Sequence, residues 1–204
     1  MTYARLATLF ALLLTTVMSV GCASDDRPRV LRQGLTIDEG DRIEAAMEAI
    51  AKAEKAVDKG DSEEAIEYYQ QAIESYSNLH VAWNDLGVEL MKLGRSMDAA
   101  EAFRIAATIE PTDPRPYYNL GTIYQNLYYD SEALKYYRQA IERRPNYLPA
   151  LRGAIQAAEL TNEADMETLD WINEAILLEN DPDWLKFFQS LRLRIESRLA
   201  SEDF

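Results

Sequence analysis

The chain has 204 residues and a mass of 23.2 kDa, carries 35 acidic against 21 basic side chains, and contains one His and one Cys. A net charge of −14 works against nucleic-acid binding, which draws on clustered Lys and Arg to release counterions. One Cys cannot build a disulfide framework or a thiolate cluster, one His cannot supply a multi-His metal site, and 48% apolar content suits a folded domain.

In chain order, Arg5 is followed by an uncharged, mostly apolar run over 6–21 that ends at Cys22. The run is a charged start plus a short apolar stretch, and it falls short of the roughly 20 residues needed to span a hydrocarbon core. The segment Met18-Ser19-Val20-Gly21-Cys22 resembles the lipobox of bacterial lipoproteins, with Ser19 where Leu is favoured. That resemblance implies a signal peptide over 1–21 and acylation of Cys22, with a plain secretory signal or short anchor as the alternatives. Two or more acyl chains hold a protein stably at a membrane, where one chain is marginal. Ala23 and Ser24 lack the Asp that retains some lipoproteins at the inner membrane, which implies an outer-membrane anchor facing the periplasm of a bacterial cell envelope. Residues 22–41 mix Asp, Arg, Gly and Pro without a period and read as the lipidated tether.

From Ile43 onward apolar residues fall at helical spacing, with no sustained strand alternation. Residues 80–113 align without a gap on 114–147, pairing Trp83/Tyr117, Leu86/Leu120, Gly87/Gly121, Leu90/Tyr124, Ala99/Ala133, Phe103/Tyr137, Ala106/Ala140 and Pro111/Pro145. Small residues at these offsets let paired helices approach closely, while the large aromatics fill the adjoining gaps. Pro111 and Pro145 end second helices, and Gly94 and Asn126 are the expected left-handed stops of first helices. Gly60-Asp61-Ser62-Glu63-Glu64 reads as a stop followed by a cap with Glu three residues on.

These offsets resemble the tetratricopeptide repeat. The resemblance implies an all-α fold: a right-handed superhelical solenoid of antiparallel helix pairs over 42–181. The units 80–113 and 114–147 are clear. The flanking units are degenerate: 46–79 keeps Ala65, Tyr69 and Ala72 but has Ala49 for the aromatic and Ser77 for Pro, and 148–181 has Glu at 167 and so an altered inter-helix turn. Residues 182–204 carry Trp184, Leu185, Phe188, Leu191, Ile195 and Leu199 at helical spacing, with Lys186, Arg192, Arg194, Glu196 and Arg198 for water. They read as a capping helix and tail, the alternative being a free amphipathic partner or membrane helix.

No phosphate-binding loop, nucleophile elbow or calcium loop occurs, so neither a cofactor nor a catalytic residue is expected and the chain reads as a non-enzyme. His80 reads as a bystander at a helix start, and acidic pairs such as Glu63/Glu64 as solvated caps. The resemblance implies that first helices line the binding face through positions 2, 5, 9 and 12 of each unit. Carried over, these are Met47, Ile50, Glu54 and Val57, then Val81, Asn84, Val88 and Met91, then Arg115, Tyr118, Thr122 and Gln125. Half apolar at one end and polar at the other, the surface suits an extended segment or helix of another protein, unless residues 23–41 or a second copy cover it. Family members that clamp a peptide's terminal carboxylate use Lys and Asn. The matching positions here are Ile50, Glu54 and Asp85, with only Arg115 and Asn119 compatible, so that function is not expected.

Charge is uneven, +2 over 114–147 against −7 over 148–181. The basic unit holds Arg115, Lys135, Arg138, Arg143 and Arg144 and is suited to a charged partner or a neighbouring copy in a homo-oligomer, or serves solubility alone. The expected role is a membrane-anchored adaptor or scaffold of the envelope that binds protein and no nucleic acid. The alternatives are a self-assembling structural component or an accessory lipoprotein of pilus or outer-membrane assembly.

Overall fold

A computed structural model describes residues 38–202. Cys22, the 1–21 signal and most of the 22–41 tether lie outside the described residues. The chain divides into two units, Met1–Asp41 and Arg42–Phe204. Of the first only 38–41 are described, and the repeats lie wholly in the second.

Among the described residues there are nine helices and no strand: α1 (Glu39–Lys59), α2 (Ser62–Ser75), α3 (His80–Lys92), α4 (Ser96–Ile109), α5 (Pro114–Asn126), α6 (Asp130–Arg143), α7 (Leu148–Leu160), α8 (Met166–Leu178) and α9 (Pro182–Glu202). This is the all-α helical-repeat solenoid that the tetratricopeptide resemblance implies. Helix α1 begins at Glu39, so the last three residues expected in the tether are helical instead. Acidic Glu39 and Asp41 in its first turn suit the positive end of the helix dipole.

Each unit turns from its first helix to its second through one left-handed residue. These are Gly60 (φ 78°), Gly94 (φ 75°), Tyr128 (φ 63°) and Asn162 (φ 58°), spaced 34 apart. At each turn the same two backbone bonds form, as in Gly94 N to Met91 O at 3.0 Å and Arg95 N to Leu90 O at 2.9 Å, the pair that closes a helix C-terminus with a left-handed cap. The expectation at Asn126 is therefore corrected. Asn126 is the last helical residue of α5, and the left-handed backbone falls two residues later on Tyr128, a residue type with no liking for it. The turn in 148–181 is the altered one. It occupies 161–165, against 93–95 and 127–129 in the clear repeats, and Asp165 caps α8 in a reciprocal box with Thr168.

The aromatic-over-glycine packing holds in both clear units. A Cβ added to Gly87 would stand 2.6 Å from the Phe103 ring, and one on Gly121 would stand 2.6 Å from the Tyr137 ring. Tyr137 is pinned from its other side too, since a Cβ on Gly153 of α7 would come within 2.5 Å of it. Ala99, Ala106, Ala133 and Ala140 are all fully buried. The backbone is extended at Glu110 and Arg144, immediately before Pro111 and Pro145, and α4 and α6 end there.

Helix α9 lies against α8. It buries Phe188, Leu191 and Ile195, and Arg194 pairs with Glu159 of α7. That is the contact expected of a cap. Among the described residues no helix is long and apolar enough to cross a membrane.

Candidate protein-binding face

First helices of successive units touch one another, α3 with α5 and α5 with α7, and so make one continuous wall. Two buried polar side chains stitch it: Asn119 Nδ2 donates to Asn84 Oδ1 at 3.0 Å, and Asn84 Nδ2 donates to Asp85 Oδ1 at 2.9 Å. Burial pushes the Asp85 carboxyl above the usual carboxylate range, an effect that the Asn84 bond and nearby Arg115 only partly offset. Arg115 is committed elsewhere. Its Nε donates to Asp113 Oδ1 and Oδ2 at 3.1 and 3.0 Å and its Nη2 to Oδ2 at 2.7 Å, while Asp113 Oδ1 also accepts the Arg115 backbone N–H and caps α5. Burial pushes the Asp113 carboxyl up, but the bonds from Arg115 outweigh it and hold it low. His80, the first residue of α3, places Nε2 3.8 Å from Asp113.

Further along the wall a hollow of about 310 Å³ opens between α5, α6, α7 and α9, lined by Tyr118, Thr122, Gln125, Tyr137, Pro149, Arg152, Gly153, Gln156 and Trp184. The Tyr137 hydroxyl donates to Gln125 Oε1 at 2.7 Å, and burial pushes that phenol up to about 12. The Tyr118 ring stands edge-on to Tyr147, with centroids 5.7 Å apart. Arg152 grips Glu179 through two bonds of 2.7 and 2.6 Å and lies under Trp184, 4.9 Å from the ring centre. Glu179 is buried yet kept ionised, because Arg152 and the Asn180 and Asp181 backbone N–H groups bond to it. A second hollow, of about 370 Å³, shares Gln156 and Trp184 and adds Asp181, Asp183 and Phe187.

The sequence-derived binding residues divide between these places. Tyr118, Thr122 and Gln125 meet in the first hollow, and Arg115 is held by Asp113 within reach of the Asp85 charge. Val57, Val81, Val88 and Met91 are half-buried, whereas Met47 and Glu54 are exposed. Ile50 and Asn84 are buried at 7% and 3% exposure, so their side chains build the wall rather than face outward. Of the two residues compatible with a carboxylate clamp, Asn119 is buried on Asn84 and Arg115 is held by Asp113. The carried-over positions omit Pro149, Arg152 and Gln156, although these follow Arg115, Tyr118 and Thr122 by 34 residues. Trp184, expected as core of the cap, also lines the hollow, and no signal in the repeat frame points to it.

The basic unit spends its charge internally. Arg138 pairs with Glu167, Lys135 with Glu132, Arg143 donates to the Pro111 carbonyl under the Tyr117 ring, and Arg144 lies over Tyr147. Among the described residues no group of His, Cys, Asp and Glu is placed to hold a metal.

Comparison with known proteins agrees with this geometry. The chain is 32% identical over 125 residues to the human protein O-mannosyl-transferase TMTC3, a match that covers 58% of this chain and 14% of that protein. The chain thus spans about one seventh of that relative's length. Among solved structures, the first tetratricopeptide domain of Spaghetti (RPAP3) bound to the HSP90 peptide SRMEEVD superposes with a TM-score of 0.57 at 19% identity, covering 63% of this chain and 99% of that one. The MamA protein gives 0.60 at 19%, covering 77% and 89%, and the Arabidopsis OM64 tetratricopeptide domain 0.57 at 18%, covering 58% and 98%. At these identities the likeness is one of fold. The tetratricopeptide repeat family matches residues 50–114 and again 114–147, so the chain is a tetratricopeptide repeat protein and its repeats form a protein–protein interaction module.

Proposed function

We propose that this protein is a lipid-anchored, non-catalytic adaptor of the bacterial cell envelope, whose first-helix wall receives a segment of a partner protein. The observation that carries the binding part is the hollow between α5, α6, α7 and α9. It joins aromatic faces (Tyr118, Trp184) to fixed polar groups (Gln125, Arg152, Gln156) on rigid helices, the composition of a recognition surface. The Spaghetti domain, which has the same fold, is bound to an HSP90 peptide, which supports a peptide in this wall. The anchor part rests on Met18–Cys22 and its resemblance to a lipobox. The human relative's named transferase activity belongs to that protein, of which this chain matches 14%.

Two experiments test the two parts separately. Radiolabelled palmitate should enter the wild-type chain and not Cys22→Ser; equal labelling would remove the anchor. A photo-crosslinking residue at Gln156, in the hollow, should capture a protein in cells, while the same residue at exposed Glu101 should not. Equal capture at both would remove the binding face.

A further inference from the structure

The wall carries one half-buried carboxylate, Asp85, that a hydrogen-bonded amide holds in place and whose charge nothing in direct contact neutralises. Both amide bonds of the pair Asn119–Asn84 point the same way, N–H to oxygen, and they end on Asp85. A chain of aligned amide dipoles polarises along its length and fixes its last acceptor. Among the described residues Asp85 accepts only that one hydrogen bond, on Oδ1. The nearby cation, Arg115, closes a two-pronged grip on Asp113 instead, so the Asp113–Arg115 pair is neutral in sum and the local charge is that of Asp85. Glu89, the other acid that faces this carboxyl, is itself paired with Lys92 at 2.7 Å. Arg115 acts on Asp85 and also on Tyr147, whose ring stands edge-on to Tyr118 in the hollow, so α5 links the half-buried carboxylate to the aromatic hollow.

We propose that Asp85 anchors a cationic side chain, so that the partner segment received by this wall presents a Lys or Arg to Asp85 and, close by, an apolar or aromatic side chain to the hollow under Tyr118 and Trp184. The chemistry is a charge-assisted hydrogen bond to a carboxylate held in place by protein dipoles, which needs no reorganisation when the cation arrives. It is the opposite of a terminal-carboxylate clamp, and the two positions that would favour such a clamp are occupied, Asn119 by Asn84 and Arg115 by Asp113. The inference rests on the first-helix wall being the binding face and goes beyond that reading by naming the partner's charge.

The test pans a phage-displayed random dodecapeptide library on the full chain in detergent, in wild-type, Asp85→Asn and Asp85→Lys forms and in a Tyr118→Ala, Trp184→Ala form, with circular dichroism melts confirming that each is folded. Wild type should enrich peptides with Lys or Arg at one fixed register beside an apolar residue. Asp85→Asn should lose that register, and Asp85→Lys should replace it with Asp or Glu. For one enriched peptide, Asp85→Asn and Lys→Gln in the peptide should each weaken binding about tenfold, and together no more than either alone. Enriched peptides without a basic register, or two losses that simply multiply, overturn the Asp85 assignment and leave the binding face standing. Enrichment that the Tyr118→Ala, Trp184→Ala form retains in full, or none on wild type, overturns both.

Discussion

The clear repeats over 80–147 and the last unit with its cap over 148–202 share one backbone and are held by different chemistry. In the former an aromatic ring seats on a glycine, Phe103 on Gly87 and Tyr137 on Gly121, and a large aromatic donates to the carbonyl at the preceding break, Trp83 Nε1 to Ser77 O at 2.8 Å and Tyr117 to Pro111 O at 3.5 Å. In the latter the glycine position is Ile155, fully buried Leu151 stands in place of the donor aromatic, and the residue that caps the second helix is Glu179, gripped by Arg152, where Glu110 and Arg144 precede a proline in the clear units. The helix pair survives these changes because the turn at Asn162 makes the same two backbone bonds as Gly94, and backbone bonds do not depend on which side chains pack above them. An ion pair closes α8 where a proline follows α4 and α6, and its Arg152 lies against Trp184 at the hollow.

Perturbing each mode separately should expose the difference. Gly121→Ala, which forces the Tyr137 ring off its seat against both α5 and α7, should cost about 2–3 kcal/mol in urea unfolding. Ile155→Val, at the corresponding place in the last unit, should cost no more than about 1 kcal/mol; equal losses would mean the two packings are one. Arg152→Ala should cost about 2 kcal/mol in the same assay. That is less than a wholly buried pair, because Arg152 is a third exposed and Glu179 keeps two backbone donors.

The contrast also separates what the sequence makes legible from what it hides. The small and aromatic positions are readable because a 34-residue period repeats them, and each has the burial its size implies. The left-handed turn in 114–147 is not readable, since the frame needs a left-handed residue at 128 whatever stands there, and Asn126 offers a better residue in the wrong place. The roles of Asn84 and Asn119 are hidden for another reason: a position expected to face outward packs against its neighbour when an amide on the next helix can reach it. Trp184 reads as core from its helical spacing and reaches the hollow only because α9 folds back across α8.

Two smaller effects bear on single residues. Tyr128→Gly should raise stability by about 0.5 kcal/mol, the relief of left-handed strain less the entropy of a glycine, while Asn162→Gly should change little; thermal melts distinguish them. Asp85→Asn should raise the Tm at neutral pH. Burial raises the Asp85 pKa in the folded chain, so ionisation there opposes folding above that pKa and the opposition vanishes as pH falls below the ordinary carboxylate value. The gain should accordingly shrink toward nothing in acid, and a gain that persisted there would place its cause outside the charge. Glu89, Asp113 and Arg115 face the same carboxyl, and replacing Arg115 should enlarge the gain.

The regular placing of the four left-handed turns bears on how such a chain tolerates change. A backbone stop repeated at 60, 94, 128 and 162 fixes the register of each unit independently of its neighbours, so an altered unit does not throw the next one out of step. The last unit has lost its aromatic, its glycine and its proline, and has lengthened its turn, yet it still presents Arg152 and Gln156 in line with Tyr118 and Thr122. Drift inside a unit is contained there, and the first-helix wall stays continuous while its chemistry is rewritten one module at a time.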